Sequence, residues 1–420
     1  MLQELDSLRD DVGVIRQRQG ATFPESAPAA NPVFFRTYSR RTEAGLRETW
    51  DQVCDRTLRG LVELGKLTRE EAAILDKMQR NMKSLPSGRW MWVGGTDWLT
   101  KPKNFSGAYN CTSTNLVDWS AFGLMMDLAM MGCGTGAIIE PQYINQLPPI
   151  RNHLIITIKG EIGSTPQAQR REFTQTHIEA NTAIIHVGDS REGWVKSYQT
   201  LLELSTDELF TGDVQVIVDI SDVRQSGETL KGFGGMANPV KLPGLYQRCA
   251  SILNKAIGRQ LNSVECCLLI DEAAVTIVAG NIRRSAGMRQ FISEDEQGAT
   301  AKDNLWQQDA EGNWRIDPER DSLRMANHTR VFHRKPTLEE SIAAVRKQYY
   351  SGEGAIQWAG EAVARANADL LTTPELKKDF LQAYEQEKAK KWIQERHPEI
   401  DANELEHRTG RYGLNPCGIL

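Results

Sequence analysis

Seven thiols are the most reactive side chains in this sequence: Cys54, Cys111, Cys133, Cys249, Cys266, Cys267 and Cys417. A reactive cysteine needs access and polar neighbours, whereas a cysteine in apolar surroundings behaves as a small hydrophobe. Cys54, Cys249 and the adjacent Cys266 and Cys267 lie in apolar stretches and read as core. Asn110-Cys111 and Asn415-Pro416-Cys417-Gly418 have polar, turn-like neighbours and read as candidates for thiol redox work. The two sites are far apart in the sequence, so spacing alone does not bring them together. The odd count and the lack of any C-x-x-C pair argue against a secreted disulfide framework, a zinc ribbon or a thioredoxin-like site. No metal-ligand set is assigned from spacing.

Four other strings could bind or turn. Gly132-Cys133-Gly134-Thr135-Gly136 is open to a tight turn or a phosphate-cradling loop, but it lacks the Lys-Ser/Thr of a P-loop. Gly232-Phe233-Gly234-Gly235 follows an expected strand, a place where α/β folds put ligands. Ala279 to Ala286 ends an apolar helix with Arg283-Arg284, either a phosphate-binding fork or a basic pair at a helix end. Val187 to Trp194 joins a strand to a helix that Asp189 or Ser190 can cap.

The elements that must position these residues fall into three stretches. Residues 1–32 are polar and Pro/Ala-rich toward their end, and read as an arm. Residues 33–105 read as a helical lobe. Leu46, Trp50, Val53 and Cys54 recur at helical spacing within 38–84, Thr68 with Glu71 forms a capping box, and the segment 85–90 breaks the pattern. From residue 106 onward the pattern is α/β. Strands are expected at 154–158, 183–187 and 214–220, alternating with helices at 121–131, 194–204 and 264–278. Later helices start at Thr337, with Glu340 completing a capping box, and at Pro374, capped by Thr373 and running to about Arg396 as a charged, solvated helix.

The net charge of −5 gives no global reason to expect nucleic acid, and 40% hydrophobic with 25% charged residues is an ordinary globular mix. No run of apolar residues is long enough to span a membrane, and the N-terminus lacks a signal-peptide pattern, so a cytoplasmic location is expected.

Taken in order, Val187 to Val195, Asp219 to Gly235, Val278 to Ala286, Arg324 to Arg330 and Asn415 to Gly418 resemble the monomeric adenosylcobalamin-dependent (class II) ribonucleoside-triphosphate reductases, the cyanobacterial type above all. The resemblance runs from about residue 33 to the end. It implies the first part of a ten-stranded α/β barrel, with the radical-bearing cysteine on a loop inside. Cys417 then forms a thiyl radical that abstracts the ribose 3′ hydrogen, and Cys111 is the first of two reducing cysteines. Asn415 hydrogen-bonds the ribose or a neighbouring catalytic group. The substrate is a ribonucleoside triphosphate, and thioredoxin is the reductant. A deoxynucleoside triphosphate effector binds within about 118–129 and 139–291, where Asp118, Asp189, Ser190, Arg283 and Arg284 are the candidate contacts.

The family pattern reads Asn-Pro-Cys-Gly-Glu, with the glutamate as general acid/base, whereas Ile419 follows Gly418 here. Cys133 also stands where related members have glycine. The cobalamin-binding segments are expected beyond Leu420, so the sequence reads as a truncated or interrupted reductase with little activity alone. Two other readings are a class I-type large subunit and a non-catalytic nucleotide-binding remnant.

Overall fold

The computed structural model of the chain describes residue 23 and residues 29–228, 237–278 and 286–416. Most of the N-terminal arm, the Gly232 to Gly235 string, Arg283, Arg284, and Cys417 onward lie outside the described residues. The chain divides into two compact units, with the boundary between Asn110 and Cys111.

The first unit is helical: α1 (Ala30–Thr37), α2 (Trp50–Gly65), α3 (Arg69–Arg80) and α4 (Gly88–Val93). Capping boxes start α2 at Thr49 with Gln52 and α3 at Thr68 with Glu71, satisfying backbone donors that a helix N-terminus leaves without partners. Trp50, Val53 and Cys54 are buried with Phe34 and Met91. The helix expected from residue 38 begins only at Trp50. Residues 41–47 instead make a tight reversal, with Arg41 bridging Arg47 and Gly45 at φ +77°. Leu46 is 44% exposed there. The cause is local: buried Glu48 accepts from the Arg40 amide and pairs with Arg56 at 2.7 Å, holding the chain extended up to the Thr49 cap. The expected break at 85–90 is shorter, because Ser87 caps a new helix at Gly88.

The second unit is built on a five-stranded sheet in the order β1 (Cys111–Asn115), β2 (Gly134–Ile138), β7 (Gly287–Ile292), β10 (Ala326–Phe332) and β11 (Ala355–Trp358). Every neighbouring pair is parallel. The crossover from β1 to β2 runs through α5 (Trp119–Met130), capped by Asp118. β2 is buried along its whole length, as an interior strand of a parallel sheet should be. The glycine string at 132–136 is therefore neither a phosphate loop nor simply a turn. Gly132 turns at φ +74°, and Gly134 and Gly136 belong to the strand.

Between β2 and β7 the chain makes an excursion through a second sheet. Its order is β3 (His153–Lys159), β6 (Asp213–Asp219), β5 (Thr182–His186) and β4 (Gln175–Glu179), with only β4 antiparallel. The three expected strands are β3, β5 and β6. α6 (Arg191–Leu204), α7 (Leu242–Asn254) and α8 (Ser263–Val278) share one apolar core with this sheet and with α5. Ser190 caps α6, so the cap falls to Ser190 and not Asp189.

A small hairpin, β8 (Trp306–Gln308) and β9 (Trp314–Ile316), precedes β10. Beyond it lie α9 (Leu338–Ser351), begun by the Thr337–Glu340 capping box, α10 (Ala359–Ala366), α11 (Pro374–Glu385), α12 (Ala389–Arg396) and α13 (Ala402–Gly410). The single solvated helix expected from Pro374 to Arg396 is two helices, reversed at Glu387 with φ +58°. Phe380, Trp392 and Ile393 are buried, because this pair packs on α10 and Tyr412. No helix among the described residues is long and apolar enough to cross a membrane.

Leu201 on α6 is fully buried in the core shared by the two sheets. Leu201→Ala should destabilise the second unit by about 2–5 kcal/mol. Chemical denaturation checks this, and a loss below ~1 kcal/mol would contradict the packing described.

Candidate active site

Cys111 opens β1 and stands in register with Gly134 on β2. Its Sγ lies 2.9 Å from the point a Cβ on Gly134 would occupy, and Pro416 Cγ lies 3.3 Å from the same point. Neighbours in register on adjacent strands face the same way, so the bare glycine lets both groups lean over one patch of sheet.

Residues 412–416 cross that face of the sheet against the direction of β2. Gly413 lies against Ser113 and Ile138. The Leu414 carbonyl and Asn415 Cα lie over Gly136, and Pro416 lies over Gly134. A Cβ on Gly136 would collide with the Leu414 carbonyl, and one on Gly413 with the Ser113 hydroxyl. Alternate glycines on β2 thus clear one face for a second stretch of backbone.

A backbone segment seated on a sheet face cannot join the ladder, so its polar groups need side-chain partners. Gln290 on β7, fully buried, supplies two: its Oε1 accepts from the Leu414 amide at 2.8 Å and its Nε2 donates to the Leu414 carbonyl at 3.1 Å. Gln357 on β11 donates to the Tyr412 carbonyl. The Tyr412 hydroxyl donates to Glu140 Oε2 at 2.8 Å. Glu140, just past β2, is 1% exposed, and it also binds His333 Nε2 at 2.8 Å and Gln142 Nε2 at 3.0 Å. His333 stacks edge-on against Tyr412 with ring centroids 4.9 Å apart. Burial and the nearby Glu140 charge push the Tyr412 hydroxyl far up, so it remains a donor. Burial alone would lower His333, but its hydrogen bond to Glu140 and that carboxylate's charge win, and its pKa is raised.

The other residues singled out from sequence lie elsewhere. Asp118 accepts from the Ala121 amide at 2.9 Å and from Ser120 Oγ. Ser190 accepts from the Gly193 amide at 2.9 Å. Asp189 accepts from the Arg224 amide at 3.0 Å and from its Nε at 2.8 Å, with Arg170 3.5 Å away. Arg170 also grips Glu228 through both terminal nitrogens, and holds that carboxyl down at about 2. These pairs tie together the loops after β3, β5 and β6. Sequence reasoning missed Gln290, Gln357, Glu140, Tyr412 and His333, whose partners are remote in the chain. The G-x-G at 134–136 carried a usable signal, since a period of two marks a strand with one bare face.

Three comparisons bear on this arrangement. Residues 161–250, most of the excursion, match the family model for the insertion domain of B12-dependent ribonucleotide reductase. The adenosylcobalamin-dependent ribonucleoside-triphosphate reductase of Levilactobacillus brevis is 28% identical over 309 residues, 64% of this chain and 41% of that protein. The probable adenosylcobalamin-dependent ribonucleoside-triphosphate reductase of Dictyostelium discoideum is 28% identical over 321 residues, 71% of this chain and 39% of its own length. A crystal structure of B12-dependent (class II) ribonucleotide reductase matches 76% of this chain and 48% of that one, with a TM-score of 0.57 and 20% identity. In fold the chain is similar to the class II ribonucleotide reductases. Among proteins of known name, its sequence is similar to adenosylcobalamin-dependent ribonucleoside-triphosphate reductases. It spans about 41% of the length of the curated relatives it matches.

Gly136→Ala should unseat residues 412–416, seen as faster amide exchange or protease cleavage there. Gly244→Ala, on a helix where an added Cβ meets nothing within 4 Å, should not. Equal behaviour of the two variants would refute the crossing. His333 gives a pH signature. Because its folded pKa is raised above the ordinary 6.5, its contribution to stability is complete below that value and is lost as pH rises through the folded pKa. The melting temperature should fall as pH rises above about 6.5, and His333→Gln should flatten that slope. A parallel slope in the variant would assign the dependence to another group.

Proposed function

We propose that this chain supplies the cysteine-bearing part of a ribonucleotide reductase active site that uses adenosylcobalamin. One observation carries the reading: Cys111 and Pro416, the chain neighbour of Cys417, both lean on Gly134. Asn415-Pro416, the described part of the second cysteine motif, thereby shares a patch of sheet with Cys111, far from it in sequence.

In this reading Cys417 becomes a thiyl radical and takes the 3′ hydrogen from the ribose of a ribonucleoside triphosphate. The 2′ hydroxyl leaves as water. Cys111 and a second thiol supply two electrons and two protons and close a disulfide, and the 3′ hydrogen is returned from Cys417. Thioredoxin resets the disulfide by thiol exchange, its own dithiol becoming the oxidised product. Asn415 hydrogen-bonds the ribose or a neighbouring catalytic group. The cofactor supplies the radical and the protein positions it. The Leu414 carbonyl already fills the space beside Gly136, so the described residues around Cys111 seat a loop and not a corrin. Residues about 118–129 and 139–291, with Asp118, Asp189, Ser190, Arg283 and Arg284 as the residues to probe, are the region proposed for a deoxynucleoside triphosphate effector, an allosteric coupling between two sites.

Ile419 supports a second reading, a chain that binds nucleotide with little turnover. The resemblance leads to a glutamate there, and a general acid/base contributes about 10²–10⁴ in rate. Incubation of this chain with adenosylcobalamin, a dithiol and a ribonucleoside triphosphate should give little deoxynucleotide, at a rate depressed by at least about that factor. Ile419→Glu should raise it, and Cys111→Ser should abolish it in either background. Saturable deoxynucleotide binding with no turnover in any variant would favour the second reading. Turnover that survives Cys111→Ser would remove the first.

A further inference from the structure

Gln290, which grips Leu414, and Arg289 are consecutive on β7 and so point to opposite faces of the sheet. Behind the site, Arg289 stands in register with His328 on β10. Helix α8 lays two more functional side chains against this pair. Cys267 and Asp271 are four residues apart, so they share one helix face. All four residues are buried, and Arg289 and Asp271 have no exposed side-chain surface at all.

The donor atoms converge. Cys267 Sγ lies 3.6 Å from His328 Nε2 and 3.8 Å from Asp271 Oδ2, and the three atoms fall within 4.8 Å of one another. The 3.6 and 3.8 Å separations from Cys267 suit donors that each sit about 2.0–2.3 Å from a common centre. Each donor is also oriented from behind. The His328 ring is hydrogen-bonded to the Gly298 carbonyl, the kind of outer contact that sets the tautomer of a metal-ligating histidine. The other oxygen of Asp271, Oδ1, is held by Arg289 at 2.6 and 3.1 Å. Arg289 in turn donates to the Thr135 and Met288 carbonyls, and Lys302, the second cation facing the cluster, is taken up by Glu353 at 2.7 Å. His328 also lines a small cavity with Phe291, Lys302 and Glu353.

We propose that Cys267, Asp271 and His328 bind one divalent transition-metal ion of the zinc class, on the face of the sheet opposite the candidate active site. The ion takes the Cys267 thiolate, the Asp271 carboxylate and the neutral imidazole. The Cys267 proton is released as the sulfur–metal bond forms, so binding weakens as pH falls. Sulfur with imidazole selects zinc-class ions over magnesium or calcium. Three protein donors leave one tetrahedral position open, and a small cavity lies beside His328. This site is independent of the proposed reductase activity and is read without it.

The test uses the full chain loaded with zinc(II) or cobalt(II). Elemental analysis after desalting should give about one ion per chain, and cobalt should show a near-ultraviolet thiolate charge-transfer band. Cys267→Ser should remove the band, and His328→Gln should weaken binding roughly ten-fold or more. Cys266→Ala, one residue away, should change neither. Should the first two variants fail to fold, Cys111→Ser/Cys133→Ser/Cys417→Ser decides: a retained band supports the site, and a lost band overturns it. A wild-type chain that holds no stoichiometric ion, or a band that persists in Cys267→Ser, also overturns it.

Discussion

A segment of backbone laid across one face of a sheet is a difficult thing to build, and this fold solves it with subtraction and satisfaction together. Side chains are subtracted at Gly134, Gly136 and Gly413, so two backbones approach to within contact. Peptide groups are satisfied by Gln290 and Gln357 from two other strands. Either half alone would fail. A cleared face without donors would leave buried polar groups unpaired, at about 1–3 kcal/mol each, and donors without clearance would find no room for the chain. The proposed chemistry depends on this constraint, because Pro416 reaches Gly134 and Cys111 only if residues 412–415 are seated first.

The start of the crossing is tied through a buried carboxylate. Tyr412, Glu140, Gln142 and His333 form a network of short, partly charged hydrogen bonds around one buried carboxylate. Farther along, Pro416 and the Cys111 thiol close over Gly134. The Glu140 network fixes the direction of the loop at its start. Such buried networks are specific because each member is costly to strand without partners.

The legible part of the sequence was the part governed by near neighbours. Capping boxes at Thr68 and Thr337 and the strands at 154–158, 183–187 and 214–220 follow from short-range pattern, and the structure has them. The errors arose where a distant partner outweighed local preference. Residues 41–47 reverse because Glu48 is held by Arg56, and the Pro374 helix breaks at Glu387 so that Trp392 can pack back toward Phe380. In the candidate site, Cys111 and Asn415 stood out by chemistry and family resemblance. Gln290, Gln357 and Glu140 did not, because a buried amide or carboxylate has no sequence signature until its partners are known. The same holds for His328, which meets Cys267 only after α8 is packed over β10.

The excursion between β2 and β7 also shapes how this chain can come together. β2 and β7 are sheet neighbours, yet the whole four-stranded insertion lies between them in sequence. Closing so long a loop while it is unfolded carries an entropic cost that grows with its length. An insertion that has already condensed around β3, β5 and β6 brings its two ends near each other and shortens that loop. Assembly of the central sheet is thereby coupled to prior order in a region that contributes no strand to it.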